Sequence, residues 1–412
     1  MTTVKYLLLA LLLAGCDTSS TTDSGTPDSY QTDGGPDRGP TDGPVGESLT
    51  DRGADAPPPP THWERIDDTA PTVEEHTVTV LKSRLVLIAG GNKYDGDDHY
   101  QDQAFLFDRT KSPKFSSAGT MTTQRGLHTA TLLNDGRVLV TGGQSDTNYL
   151  ERTELYDPAK NTWAKGPDMF KSRWSHSATL LQNGEVLVAG GFYSSDVTPS
   201  IVIYDPVHNT WKVPSATLNE GRMSHTATLL QNGKVLFAGG VQGSSFNNST
   251  WLNSMEIYDP KTGTMSQSKV TMSKRRAGHT ATLLPSGKVL IVGGFCGLKC
   301  TGDQQMDDLY DPASDTVAPL AHAGDLPSSH VAVRLLDGRV LVAGDNDTVN
   351  HINVVAYDPK GGGFWTKLDS LKIGRWGAEA ALLDDGSVLV VGGATASSPT
   401  YLLAAKAEWF IH

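Results

Sequence analysis

The chain has 412 residues, of which 38% are hydrophobic and 7% aromatic, with 43 glycines and 22 prolines. That mixture favours short strands joined by many turns over long helices. A net charge of −12 with no local basic cluster excludes a nucleic-acid binder, and three cysteines are too few for a disulfide-built miniprotein.

Residues 1–15 carry Lys5 and an apolar run from Leu7 to Leu13, then Ala14-Gly15-Cys16. The run is too short to span a bilayer, so it reads as a secretion signal. The ending Leu13-Ala14-Gly15-Cys16 resembles the bacterial lipobox. That resemblance implies cleavage before Cys16, lipidation of its thiol, and a place in the bacterial cell envelope on the periplasmic or the surface side. Several acyl chains hold stably where one would be marginal.

Residues 16–60 follow the lipidated position with Ser, Thr, Asp, Gly and Pro, ending in Pro57 to Pro60. Only Tyr30, Val45 and Leu49 could pack, and nine acids face two arginines. Such a segment buries too little apolar surface to offset its ordering entropy, so it is expected to be a disordered tether with a reach of roughly 35–40 Å.

From residue 61 to 412 one pattern recurs: His-Thr-Ala-Thr-Leu-Leu, a tight turn, Val-Leu-Val, Gly-Gly, a variable loop, Tyr-Asp-Pro, then an aromatic or apolar residue. The Gly-Gly pairs begin at Gly90, Gly142, Gly190, Gly239, Gly293 and Gly392, with Gly344-Asp345 in the sixth place. Each unit predicts four strands. Asp135-Gly136 and its counterparts turn the first hairpin, since both turn positions must accept positive φ. The second strand is apolar on both faces, as in a sheet covered on both sides. In the sixth unit Asp345 replaces a glycine, and Asp enters the left-handed region more readily than most residues. The last unit, Ala378 to Phe410, has room for three strands only, and its histidine position holds Ala378. His62-Trp63-Glu64-Arg65-Ile66 is the expected fourth, closing the ring and leaving no sheet edge open.

These repeats resemble the kelch family, in the variant of the central domain of galactose-oxidase-like proteins. The resemblance implies an all-β fold: a seven-bladed β-propeller of four-stranded blades around a channel, with the first strand innermost.

Several residues invite a functional reading. His76, His128, His176, His225, His279 and His330 hold equivalent places; they read as hydrogen-bonded ties rather than a metal site, whose ligands must converge on one point. Arg125, Arg173, Arg222 and Arg276 stand three residues before a histidine, and Arg375 three before Ala378. They are candidates for an anion-binding face, as bidentate donors to carboxylate, sulfate or phosphate; the alternative is that each pairs with a carboxylate or carbonyl of a neighbouring blade. Tyr94, Tyr193 and Trp251, in the loops after Gly-Gly, are candidates for stacking on a sugar or gripping a peptide. Asp95-Gly96-Asp97-Asp98 lacks the full ligand spacing for calcium. Cys296 and Cys300 are expected to form a loop-local disulfide.

No catalytic residue, metal or cofactor is assigned. The expectation is a monomeric, lipid-anchored binding scaffold for an anionic glycan, a peptide or a protein. The other readings are an envelope protein without a discrete ligand and a mutarotase- or epimerase-like enzyme. A copper radical oxidase is disfavoured: no Tyr-His dipeptide occurs, both later cysteines are expected to pair with each other, and no extension follows the last unit.

Overall fold

The computed structural model describes residues 62–66, 70–94, 98–243, 249–296, 306–321, 329–345, 352–395, 402–403 and 407–411. The leader, Cys16, the tether, most of the Asp95–Asp98 motif and Cys300 lie outside them.

The described residues form seven antiparallel four-stranded sheets. Blade one comprises Thr77–Val80, Val86–Ala89, Gln103–Phe107 and Phe115–Thr120. Blade two comprises Thr129–Leu132, Val138–Thr141, Thr153–Asp157 and Thr162–Lys165, and blades three to six repeat the order from Ser177, Thr226, Thr280 and Ser329. First strands touch one another around the ring and so form its inner wall. Blade seven takes Glu379–Leu382, Val388–Val391 and Ala407–Ile411, and its outer strand is His62–Ile66. Trp63 stands opposite Phe410 in that pairing, with ring centroids 5.1 Å apart, and its indole N–H donates to the Asp369 carbonyl at 2.9 Å. The closure by the amino-terminal strand is as the repeat pattern predicts.

Second strands are buried on both faces because each blade is sandwiched between two others. Seven apolar clusters fill the seven seams. An eighth lies instead among the loops over blades two to five, where Trp174, Phe192, Met223, Val241 and Trp251 pack together.

The Gly-Gly pair has a steric cause. Gly90 sits at φ 63°, and a Cβ there would meet the Arg125 carbonyl oxygen at 2.5 Å and His128 Cε1 at 2.8 Å. Each blade's histidine thus packs on the first glycine of the preceding blade. Blade six departs from the pattern. Its strand Val340–Asp345 runs on through the Gly-Gly position, with Asp345 paired to Ser329 and Ile352. The expected left-handed turn at Asp345 is replaced by continued strand.

Candidate functional site

Loops that enter the first strand and loops that leave the second open on one face of the ring, because consecutive strands alternate in direction. Near the channel this face is tied by backbone. Leu127 N–H donates to the Glu75 carbonyl at 3.0 Å, Ser175 to Leu127 at 3.1 Å, Ser224 to Ser175 at 3.0 Å and Gly278 to Ser224 at 2.9 Å. All five residues have φ between 50° and 64°. A left-handed Leu or Ser is strained by about 1–2 kcal/mol, so the tie imposes the geometry.

The histidines are ties of the same kind. His128 Nε2 shares a hydrogen bond with Thr77 Oγ1 at 3.1 Å, His225 with Ser177 Oγ at 2.9 Å, His279 with Thr226 Oγ1 at 3.0 Å and His330 with Thr280 Oγ1 at 2.8 Å. His176 reaches both Thr129 Oγ1, at 3.1 Å, and Thr141 Oγ1, at 2.9 Å. His76 faces blade seven, where Glu379 takes the hydroxyl's place in the register, and its ring nitrogens make no side-chain hydrogen bond. Burial lowers the His76 pKa to about 4 and the His225 pKa to about 3. Glu379 is exposed within the inner ring yet enclosed by the blades, which raises its carboxyl pKa to about 7.

The five arginines are not an open face. All are at most 2% exposed. Each donates from Nη1 to the carbonyl of the first Gly-Gly glycine in its own blade, at 2.7–3.0 Å. In four blades Nη2 meets an acid on the third strand of the same blade: Arg125 to Glu154 at 2.7 Å, Arg222 to Glu256 at 2.6 Å, Arg276 to Asp308 at 3.2 Å and Arg375 to Glu408 at 2.9 Å. The expectation of an arginine-lined anion face is corrected for these four, because each charge is spent inside its blade. The partner also differs from the expected alternative, lying within the blade rather than across the seam. Desolvation lowers the pKa of Arg125, Arg276 and Arg375, and the neighbouring carboxylates oppose that shift.

Sequence reading missed the acids. Their signal is a carboxylate two residues before the third-strand aromatic, as in Glu154-Leu155-Tyr156 and Glu256-Ile257-Tyr258. Blades one and six lack both partners, with Val73 and Phe105 in one and Pro327 and Val355 in the other. Blade three has Arg173 but Val202 in the acid's place.

Of the aromatic candidates, Trp251 is 4% exposed and belongs to the loop cluster, so it stiffens the face and does not meet solvent. Tyr193 is 38% exposed, with Lys171 Nζ 5.2 Å from its ring centre. The Tyr94 side chain lies outside the described residues. Cys296 is disulfide-bonded and buried.

A cleft of about 590 Å³ opens on the same face, over blades one and two. Its walls are the 122–124 entry loop and the 145–152 loop, with Asp102, Asn148, Tyr149, Glu151 and Arg152 among the lining groups. The walls are fixed from below, since Glu154 accepts from the Thr122 N–H at 2.6 Å and the Thr123 N–H at 3.1 Å.

The repeat and the closed ring agree with comparison to known families. The KLHDC2/KLHL20/DRC7 Kelch-repeats domain matches residues 75–294. The chain belongs to the kelch-repeat family. Among solved structures, this kelch propeller resembles a fungal alcohol oxidase of the AA5 family, in complex with copper, at 19% identity. The TM-score is 0.68, over 85% of this chain and 76% of the other. At that identity the likeness is one of fold. No curated protein matches. Kelch propellers generally mediate protein interactions, and the described parts of the loops after Gly-Gly lie together on one face of this one.

Proposed function

We propose that this kelch propeller is an exported, lipid-anchored binding scaffold, and that the cleft over blades one and two takes an uncharged glycan. The observation that carries the reading is the cleft's lining of hydroxyl, amide and carboxylate groups, with the Arg152 guanidinium beside two acids, around one aromatic ring, Tyr149. Polyhydroxylated ligands are gripped by such a mixture, with few but well-placed polar groups. The anionic preference expected from the arginines loses its basis once four of them are neutralised in their own blades.

Binding without turnover is the simplest use of this face, because four of the six repeat histidines, His128, His176, His225 and His279, are buried and tied to neighbouring blades. Anchoring rests on the lipobox-like Leu13-Ala14-Gly15-Cys16. Incorporation of labelled palmitate that Cys16→Ser abolishes would support it, and unchanged incorporation would remove it.

The function test is a glycan array probed with the full chain and with the double variant Asn148→Ala, Glu151→Ala. Both residues are exposed, so the fold should keep its melting temperature. A glycan bound by wild type and lost by the variant supports the cleft. Binding that survives, or an array that captures nothing while a peptide library does, overturns the glycan reading.

A further inference from the structure

The blades supply their own control for an anion site. In blades two, four and seven one carboxylate is held by the same three donors. Glu256, for example, accepts from Arg222 Nη2 at 2.6 Å and from the backbone N–H groups of Asn219 and Glu220 at 2.6 and 3.2 Å. Glu408 accepts likewise from Arg375, Lys372 and Ile373, at 2.9, 2.5 and 3.1 Å. In blade five Asp308 accepts from Arg276 at 3.2 Å and from the Ser273 N–H at 3.2–3.3 Å.

Blade three keeps the donors and lacks the acid. Arg173 is 0% exposed and donates only to the Gly190 and Ser200 carbonyls, at 2.9 and 3.2 Å, and to Ser200 Oγ at 3.1 Å. The N–H groups of Phe170 and Lys171, which stand where those of Asn219 and Glu220 stand, make no hydrogen bond among the described residues. Val202, paired with Val188, occupies the register position that Glu256 occupies opposite Phe237. Blade four shares the serine, Ser254 in place of Ser200, and there Arg222 binds both the serine and the acid. So Val202 alone accounts for the difference. A buried guanidinium with no counter-charge is costly, and burial unopposed by any acid lowers the Arg173 pKa to about 10.

We propose that Arg173, Ser200 Oγ and the N–H groups of Phe170 and Lys171 form a binding site for a small monocarboxylate of formate size. The size follows from the side chains: Val202 fills the space of the Glu256 β and γ carbons and leaves out a carboxylate. Charge-assisted bonds to a planar anion suit the guanidinium fork. Entry is past Phe170, which is 60% exposed. This site is independent of the cleft over blades one and two.

The test is the melting temperature of the full chain against sodium formate, with sodium gluconate keeping ionic strength constant. The expected result is a saturable rise of about 2–4 °C. Val202→Glu, which supplies the acid in cis, should melt higher without formate and lose the response. Arg173→Met should also lose the response. No shift in wild type, a shift that grows linearly with salt, or a Val202→Glu protein that responds as wild type does would overturn the site. A crystal of wild type soaked in formate settles the position without a variant: density on Arg173 supports it, and density only elsewhere sinks it.

Discussion

Glu154 and Arg125 lie 2.7 Å apart with exposures of 1% and 0%, and the same carboxylate also holds the backbone of the loop that leads into blade two. Removing one partner of such a pair strands the other charge, at a cost of about 3–5 kcal/mol. Glu154→Ala is therefore expected to shift the urea midpoint strongly. Replacing both residues by Met should recover most of the loss. A single variant that unfolds where wild type does would show that the pair contributes nothing.

Acid should unfold the ring through its histidines. An unfolded histidine titrates near 6.5, whereas burial holds His76 at about 4 and His225 at about 3. The unfolded chain then binds more protons, so stability rises with pH across this window. The contribution is complete above pH 6.5 and is lost as pH falls toward 4 for His76 and 3 for His225. Each group contributes a slope of about 1.4 kcal/mol per pH unit while it titrates. Urea midpoints at a series of pH values should show the fall, and His225→Gln should make it shallower. A midpoint flat from pH 7 to 4 would contradict the buried, neutral state.

Glu379 should act with the opposite sign. Its folded pKa of about 7 exceeds the ordinary 4.5, so the folded chain binds the extra proton and stability falls as pH rises from 4.5 to 7. Glu379→Gln is expected to raise the melting temperature at pH 8 and to change it little at pH 4.5. An equal effect at both values would mean that the carboxyl is not perturbed.

Trp63 carries the closure. It is 2% exposed, packed on Phe410 and hydrogen-bonded to Asp369. Trp63→Ala should cost about 3–5 kcal/mol by the cavity it leaves. It should also expose the Ala407–Ile411 edge, so concentration-dependent aggregation is the readout to follow alongside stability. A variant as stable and as monomeric as wild type would show that blade seven closes without this strand.

The blade count, the Gly-Gly turns and the closing strand were legible because each is a local signal repeated at 48 to 54 residue spacing, or a missing piece of one. The fate of the arginines was less so. Where a guanidinium ends depends on which third-strand residue the sheet register sets beside it, and Glu154 lies 29 residues from Arg125. The rule linking them becomes readable only when blades are compared with each other, with Val73 and Phe105 as a pair without either charge. Trp251 was misjudged for another reason. Its cover comes from Trp174, Phe192 and Val241, which follow the repeat arginine or the Gly-Gly pair of their blades, so their meeting over Trp251 depends on how neighbouring blades stand beside one another.

The pairing of His62–Ile66 with Ala407–Ile411 has a consequence for how the molecule is made. Trp409 Nε1 donates to Glu64 Oε2 across 345 residues of sequence. A chain emerging amino-terminus first presents one half of its clasp before any blade is made and the other only after the inner strands of all seven have been laid down. Six blades can form in turn along the way, but the circle stays open until Ala407–Ile411 is available. The last sheet to be completed is then the one joined to His62–Ile66, so a product truncated before Ala407 would keep six blades and lose its seal.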